Sequence, residues 1–449
     1  MLTSISPWDG TPVWRAAAAT TAEAASAVAA AAADLPTWAL DVDRAGKIRR
    51  FAEAVLHHRK AVVTLLVREA GKTVGDAEAE ADQLGTVIDT TLGAGLGRTP
   101  GVPAFGHALA LPWRPRGPAV VIAPGNQPLL ALHQLVVPAL AVGCTVVAKP
   151  SPEALGLGEL YRALLKEAGL DGVCTVLLGG CEVAEALVDQ PGVATVAATG
   201  SRAMGAALAR RLAGRSEVVF AASLGGVNPV LVLPDGDLPA ALTAVAEGAW
   251  RLAGQHGTAS RVAFVPRAQM DTALEQLTHE RQRWLPTPAL DGAVGPMRSL
   301  AARTAFLAGL ADLPGGTDLV AGKREPLEKP SAGTDPLLIV LRQGATAGHP
   351  LLTREHAGPV LAVVPYDDAA QAVAWLETNP HRLAAAVWTT DRDRFLDLAR
   401  RLRYGRLFHN RSTLSARLDL PAAGCGLSGT GQAAGVAACQ IFADETVVW

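Results

Sequence analysis

The chain holds five cysteines in 449 residues, an odd count with no two of them spaced as a metal-binding pair. Cys144, Cys174, Cys181, Cys425 and Cys439 thus point neither to a disulfide framework nor to a zinc site. A reduced, cytoplasmic setting is the simplest expectation. No apolar run reaches the roughly 20 residues that a membrane-spanning helix needs, because glycine, proline or charge breaks each one. The opening Met1-Leu2-Thr3-Ser4-Ile5-Ser6-Pro7-Trp8-Asp9 lacks a basic stretch followed by an apolar one, so no secretory signal is visible. A cationic surplus is missing too. With a formal net charge of −2 and a pI near 6.6, there is no electrostatic case for nucleic acid or an anionic membrane as partner.

What is present suits a large globular chain. Hydrophobic residues make up 49% and charged residues 18%, which excludes disorder as the main state. A mass of 46.3 kDa exceeds one typical core, so two or more packed domains are expected.

From about residue 15 to 93 the sequence is alanine-rich with helical spacing; Ile48, Phe51, Ala52 and Val55 form one apolar stripe. A Gly/Pro-rich interval near 93 to 118 reads as an excursion carrying short strands. Then Val120-Val121-Ile122-Ala123, Thr145-Val146-Val147-Ala148, Cys174 to Leu178 and Val193 to Ala197 alternate with helical segments, including Ala154 to Gly169 and Arg202 to Leu212. Short runs apolar on both faces are what parallel strands require, and the alternation predicts a doubly wound α/β sheet. A second α/β unit follows: a strand at Pro229 to Leu233, a helix at Leu238 to Leu252, a strand at Arg261 to Val265 and a helix at Ala268 to Arg283. The final stretches Cys439 to Ala443 and Thr446 to Trp449 read as strand, and a terminal apolar strand needs cover.

Several motifs lie along this frame. Gly254-Gln255-His256-Gly257-Thr258-Ala259-Ser260-Arg261 resembles the aldehyde dehydrogenase loop Gly-Gln-x-Cys-Thr-Ala followed by a strand that opens with Arg. Ser223-Leu224-Gly225-Gly226-Val227-Asn228-Pro229 resembles that family's Glu-Leu-Gly-Gly-Lys-Asn-Pro. Pro124-Gly125-Asn126-Gln127-Pro128 is similar to Pro-Trp-Asn-Phe-Pro, and Pro138 to Ser151 matches the strand that carries the family's adenosine-ribose lysine. Thr199-Gly200-Ser201-Arg202-Ala203-Met204-Gly205 resembles Thr-Gly-Ser-x-x-x-Gly, and Glu355-His356-Ala357-Gly358-Pro359-Val360 resembles Glu-x-Phe-Gly-Pro-Val. Six motifs in order, spread over nearly the whole chain, make the resemblance specific. His409 to Thr413, Gly424 to Gly429 and the opening Ser6-Pro7-Trp8-Asp9-Gly10 point within it to the succinylglutamate semialdehyde branch.

The resemblance implies a Rossmann-type doubly wound cofactor domain, a second α/β domain and a β oligomerisation arm. Their expected bounds are 1–222 for the cofactor domain (with 106–118 in the arm), 223–404 for the catalytic-like domain, and 405–449 for the return and the C-terminal strand. It implies NAD or NADP as cofactor, held by Lys149, Ser151, Gly200, Ser201, Gly205, Leu224 and Glu355. A helix start with a serine hydroxyl suits a pyrophosphate. It also implies Asn126 as an oxyanion donor. Yet Gly257 stands where the family has its nucleophilic cysteine, and Ser223 where it has the general-base glutamate. Pro152 replaces the acidic ribose partner, with Glu153 one place later, and Ala357 replaces a phenylalanine. Cofactor binding is thus expected to be weak or lost.

The principal expectation is a degenerate centre in a sensing or scaffolding subunit, a homo-dimer or tetramer that can assemble with an active relative. The alternative is a working oxidoreductase or hydrolase with unorthodox chemistry at His256, Thr258 and Asn126. A third reading is an oligomerisation partner that binds no nucleotide. Of the cysteines, Cys144, Cys174 and Cys181 read as buried small hydrophobes, while Cys425 sits in a Gly-rich loop.

Overall fold

A computed structural model describes residues 1–97, 109–342, 348–415, 417–431 and 434–448. The chain opens with an antiparallel hairpin, β1 (Leu2–Ile5) on β2 (Pro12–Ala16). Four helices follow, Thr21–Ala39, Arg44–His57, Arg59–Ala70 and Val74–Thr90. The first starts at a reciprocal cap. Thr20 Oγ1 accepts the Glu23 amide at 3.1 Å, and the Glu23 carboxylate accepts the Thr20 amide at 2.7 Å. These pairs satisfy amides that have no partner inside the helix.

After β3 (Leu109–Pro115), the strands β4 (Ala119–Ile122), β5 (Val146–Lys149), β6 (Cys174–Val176), β7 (Thr195–Gly200) and β8 (Val219–Leu224) form an all-parallel sheet. Its order is β6-β5-β4-β7-β8. Strand order reverses beside β4, and at such a switch point the C-terminal strand ends open a crevice. Alternation along each strand sorts the side chains: Val121 and Ala148 face one helical layer with Leu132 and Leu140, whereas Val120, Ile122 and Val147 face Val183, Leu187 and Leu208.

The second half builds a seven-stranded sheet from β9 (Asn228–Val232), β10 (Ser260–Pro266), β11 (Thr317–Ala321), β12 (Leu337–Leu341), β13 (Val360–Tyr366), β15 (Ala384–Trp388) and β16 (Arg406–His409). Its order is β11-β12-β13-β10-β9-β15-β16, with β11 alone antiparallel to its neighbour. The short β14 (His381–Arg382) pairs with β18 (Cys425–Gly426), and β17 (Pro421–Ala422) with β19 (Ala434–Gly435). The terminal β20 (Ala443–Val448) runs antiparallel to β3. The expected excursion and the C-terminal strand therefore cover one another on one edge. His107, Ala108 and Trp449 lie outside the described residues.

Three expectations change. Cys439 to Ala443, read as strand, is a 3-10 turn over Ala438–Ile441; Cys439, Ile441 and Phe442 are all buried, a pattern that alternation cannot supply. The helix read to Leu252 stops at Trp250, because Arg251 is extended and Leu252 left-handed. Cys181 is exposed at the first turn of the helix Cys181–Val188, rather than buried on a strand, while Cys144 and Cys174 are buried. Among the described residues no helix is long and apolar enough to cross a membrane.

Candidate active site

The C-terminal ends of the first sheet gather most of the residues singled out by sequence. Asn126 follows β4, Lys149 ends β5 ahead of Ser151, Gly200 ends β7 ahead of Ser201, and Ser223-Leu224 ends β8. Gly200 pairs with Leu224 across β7 and β8. Ser201 caps the helix Arg202–Leu212, its hydroxyl accepting the Met204 amide at 3.2 Å. Gly205 allows that helix to press on the sheet: a Cβ there would lie 2.6 Å from Leu224 Cδ1. The result is an exposed helix N-terminus over the switch point, a favourable place for an anion.

Lys149 is buried and donates to the carbonyls of Pro150 at 3.1 Å and Gly179 at 2.9 Å. Burial pulls its pKa down to about 8, against the pull of Cys181 and Glu182. The Ser151 hydroxyl accepts the Glu153 amide at 3.2 Å. Glu153 itself is engaged elsewhere. Its carboxylate takes Arg298 Nε at 2.7 Å and the Ser299 hydroxyl at 2.6 Å. It fills the space that a side chain at Gly125 would occupy, 2.2 Å from such a Cβ. The absence of a side chain at 125 is what lets the displaced acid tie the first half of the chain to the second.

The 254–258 loop is held tightly. Leu252 (φ 53°), Ala253 (φ 50°) and Gly254 (φ 64°) make a left-handed run into it. For the two non-glycine residues such geometry costs about 1–2 kcal/mol each. Gly254 admits no side chain, since a Cβ would sit 2.2 Å from the Gly358 carbonyl oxygen. Gln255 is buried and accepts the Arg298 amide at 3.0 Å. Asn228, whose role the sequence did not disclose, donates to the carbonyls of Gly257 and Ala259, both at 2.9 Å, and accepts the Ala384 amide at 3.2 Å. One buried amide thus fixes the loop to two strands.

Asn126 does not stand free. Its side-chain amide donates to the Gln255 carbonyl at 2.6 Å. The helix after it, Leu130–Val142, starts on the buried carboxylate of Glu80, which accepts the amides of Leu129 at 3.1 Å and Leu130 at 2.8 Å and pairs with Lys72 at 2.6 Å. Gly257 is roomy: a Cβ there would meet only Leu383 Cδ2, at 3.8 Å. His256 keeps a narrow contact with solvent and lies 3.3 Å from the Thr258 hydroxyl through Nδ1. Burial, then the charges of Lys72, Arg406, Arg251 and Arg261, push its pKa down to about 3. Ser260 is buried and shares a hydrogen bond with Thr413 at 2.9 Å, away from the loop's open side.

Glu355 lies over Gly225, where a Cβ would be 2.0 Å from its carboxylate. It faces Arg261 at 3.6 Å. Burial raises its pKa, while Arg261 and the Gly226 amide oppose the rise. Ser223 is half-buried and bridged to Gly429, and the Leu224 amide donates to the Ser428 carbonyl at 2.9 Å. The His381 imidazole, buried beside Gly226 and bonded through Nε2 to the Thr353 carbonyl at 3.2 Å, is a further residue that the sequence did not flag.

Among the described residues no cluster of three or more His, Cys, Asp or Glu is placed to hold a metal ion. For a dinucleotide the fit is partial. The helix start at Ser201 suits a pyrophosphate and Lys149 is placed at a strand end, but Glu153 is committed to Arg298, and Glu355 is paired with Arg261.

Comparison with known proteins agrees with this frame. N-succinylglutamate 5-semialdehyde dehydrogenase of Burkholderia mallei (strain SAVP1) is 30% identical over 439 residues, spanning 95% of this chain and 88% of the relative. The structure of an NAD-dependent aldehyde dehydrogenase from Sinorhizobium meliloti superposes with a TM-score of 0.93 at 26% identity, covering 100% of this chain and 90% of that one. A cysteine-to-alanine variant of aldehyde dehydrogenase C from Pseudomonas syringae, solved with NAD+ and octanal, gives 0.92 at 25% identity, covering 100% and 93%. The model of the aldehyde dehydrogenase family matches residues 1–448, and the chain belongs to that family, with its α/β fold.

Proposed function

We propose that this protein is an aldehyde dehydrogenase homologue that has given up covalent aldehyde oxidation and acts as a nucleotide-binding sensing or scaffolding subunit. The observation that carries the reading is Gly257, a position with room for a nucleophile but none present. A thiolate attacks a carbonyl far more readily than a neutral hydroxyl does, and a hydroxyl needs an adjacent base to compete. Thr258 has His256 nearby, but an imidazole held near pKa 3 is a feeble base at neutral pH. That weighs against the rival reading, unorthodox oxidoreductase or hydrolase chemistry at His256, Thr258 and Asn126.

NAD or NADP binds through Ser201, Lys149 and Glu355, with Gly200, Gly205, Leu224 and Ser151 shaping the cradle. The Pseudomonas syringae variant supports this, since a protein of the same fold with a cysteine replaced by alanine was solved holding both NAD+ and octanal. Affinity is reduced, because a ribose hydrogen bond lost with Glu153 turned away costs about 1 kcal/mol, several-fold in Kd. The units 1–222, 223–404 and 405–449 are read as cofactor domain, catalytic-like domain and return segment. The test pairs two measurements. Calorimetric titration should show NAD or NADP binding in the high-micromolar to millimolar range, and an aldehyde panel with NAD should give no NADH signal that scales with pure protein. A steady, protein-dependent NADH signal overturns the reading, and absence of binding at millimolar nucleotide moves it to a pure scaffold.

The β3–β20 ribbon supports a homo-oligomer, a dimer or a tetramer built from dimers, because two strands on their own leave unpaired edges. Light scattering at micromolar concentration should report a multiple of 46.3 kDa; the single-chain mass alone would contradict it.

A further inference from the structure

Glu153 is drawn across the crevice by two residues of the other half of the chain. One carboxylate oxygen takes Arg298 Nε at 2.7 Å and the other takes the Ser299 hydroxyl at 2.6 Å. Both holders are themselves anchored. The Arg298 amide donates to the Gln255 side-chain oxygen at 3.0 Å, and Ser299 caps the helix Leu300–Gly309 by accepting the Ala302 amide at 3.2 Å. Glu153 and Arg298 are both largely shielded from water, so solvent screens their attraction only in part. Gly125 leaves the room for this arrangement, since a Cβ there would lie 2.2 Å from Glu153 Oε2 and 3.1 Å from Arg298 Cδ.

The end of β5 is left with a cation and a hydroxyl but no free acid. Lys149 has three N–H groups and gives two of them to the carbonyls of Pro150 and Gly179. Ser151 accepts the Glu153 amide at 3.2 Å, and its own proton has no acceptor among the described residues. Glu182, the other acid that acts on Lys149, accepts the Gly180 amide at 2.9 Å at the start of its own helix. A carboxylate beside an adenosine ribose accepts from its 2′-hydroxyl and repels a 2′-phosphate, whereas a cation attracts that phosphate.

We propose that Arg298 determines nucleotide choice: by holding Glu153 away from the adenosine ribose it makes the site prefer NADP to NAD, an inference that rests on reading these strand ends as a dinucleotide site. Arg298 acts through Glu153 and is a positioning residue. Glu153 stands one place past Pro152, and its amide is bonded to Ser151. A carboxylate released by Arg298 therefore hangs from the same turn as Lys149, where it can accept from a 2′-hydroxyl. Held as it is, it leaves Lys149 and Ser151 to a 2′-phosphate.

Calorimetric titration of the full chain with NAD and NADP side by side tests this. The wild-type protein should bind NADP at least about 3-fold more tightly than NAD. Arg298→Met should tighten NAD and weaken NADP, moving the ratio of the two dissociation constants by at least about 10-fold, since one ligand gains a charged hydrogen bond and the other a repulsion. Adding Glu153→Gln to Arg298→Met should bring the ratio back toward the wild-type value. Gly125→Ala evicts the same carboxylate from the opposite side and should move the ratio in the same direction; it decides the matter should circular dichroism and melting show that Arg298→Met fails to fold. A merely structural role for Arg298 would change both affinities together and leave the ratio alone. The proposal is overturned if the wild type prefers NAD, if the folded variants keep the wild-type ratio, or if Arg298→Met weakens both nucleotides alike. Binding of both nucleotides without a shift in ratio sinks this inference alone, whereas no binding to any of the proteins at millimolar concentration sinks the nucleotide-binding reading with it.

Discussion

Installing both missing groups, Gly257→Cys with Ser223→Glu, is expected to give a folded protein that still oxidises aldehydes with a kcat below about 1 s⁻¹, the lower end of ordinary enzymes. Folding should survive. Gly257 is not among the residues with positive φ, its nearest obstacle is Leu383 Cδ2 at 3.8 Å, and Ser223 is only half-buried. The new thiol would lie beside His256, on which Lys72, Arg251, Arg261 and Arg406 act, and cations favour a thiolate. Hydride transfer asks for more than a nucleophile. Asn126, which the resemblance implies as an oxyanion donor, already gives one of its two side-chain N–H groups to the Gln255 carbonyl at 2.6 Å. Where an aromatic side chain is expected at 125 there is a glycine, and Glu153 and Arg298 occupy the space. Ala357, another replaced aromatic position, is exposed, and a methyl group offers no ring to pack against a nicotinamide. A misplacement of about 1 Å costs on the order of 100-fold in rate. The residual activity is expected as ester hydrolysis, which needs the thiolate but no hydride geometry. NADH production measured over an aldehyde panel settles it: a kcat above about 1 s⁻¹ would mean that two residues alone separate this chain from active relatives.

The parallel strands were legible because burial on both faces leaves a plain mark, runs such as Val120 to Ala123 and Val146 to Ala148 bounded by glycine and proline. The helix start at Ser201 was legible too, since capping chemistry is local. What escaped depends on partners far along the chain. Nothing near Glu153 announces Arg298, 145 residues away, and nothing near Asn228 announces the carbonyl of Gly257. A glycine at 125 reads as a turn residue until the carboxylate that fills its space is seen. The same holds for Cys181, where an apolar context suggested burial but the first turn of a helix turned it outward.

Acidification from pH 7 to pH 5 is expected to remove a large part of the folding stability, with His133 contributing about 2 kcal/mol of the loss. His133 is fully buried between Phe51 and Tyr161, with ring centroids at 5.3 Å and 5.9 Å. Its Nε2 bonds to the Leu84 carbonyl at 3.1 Å and its Nδ1 to the Tyr161 hydroxyl at 3.0 Å. A carbonyl can only accept, so Nε2 carries the proton and Nδ1 accepts from the tyrosine. A second ring proton would force the Tyr161 hydroxyl to accept instead of donate, and burial holds the pKa down at about 3. The folded pKa is therefore below the unfolded value of about 6.5. Between the two, the unfolded chain binds the extra proton and the native state does not. The contribution is intact above pH 6.5 and drains away as pH falls toward 3. His356, held at about 4 with its Nε2 buried and unbonded, acts in the same direction, reduced by its residual exposure. Glu69 and Glu355 oppose it, since burial raises their pKa values and the folded state gains as they protonate. They offset part of the loss only as the pH nears the carboxylate range, so the histidines dominate the upper part of the window. A native protein has only about 5–15 kcal/mol in reserve, and a loss of this size should move a urea midpoint visibly. Urea unfolding at pH 7 and pH 5, with His133→Gln beside the wild type, separates this cause from general charge effects. The variant begins less stable, having lost ring packing, but should fall by about 2 kcal/mol less across the interval. Equal losses in both proteins would show that His133 is protonated without penalty, and that its buried neutral state is not what limits the fold in acid.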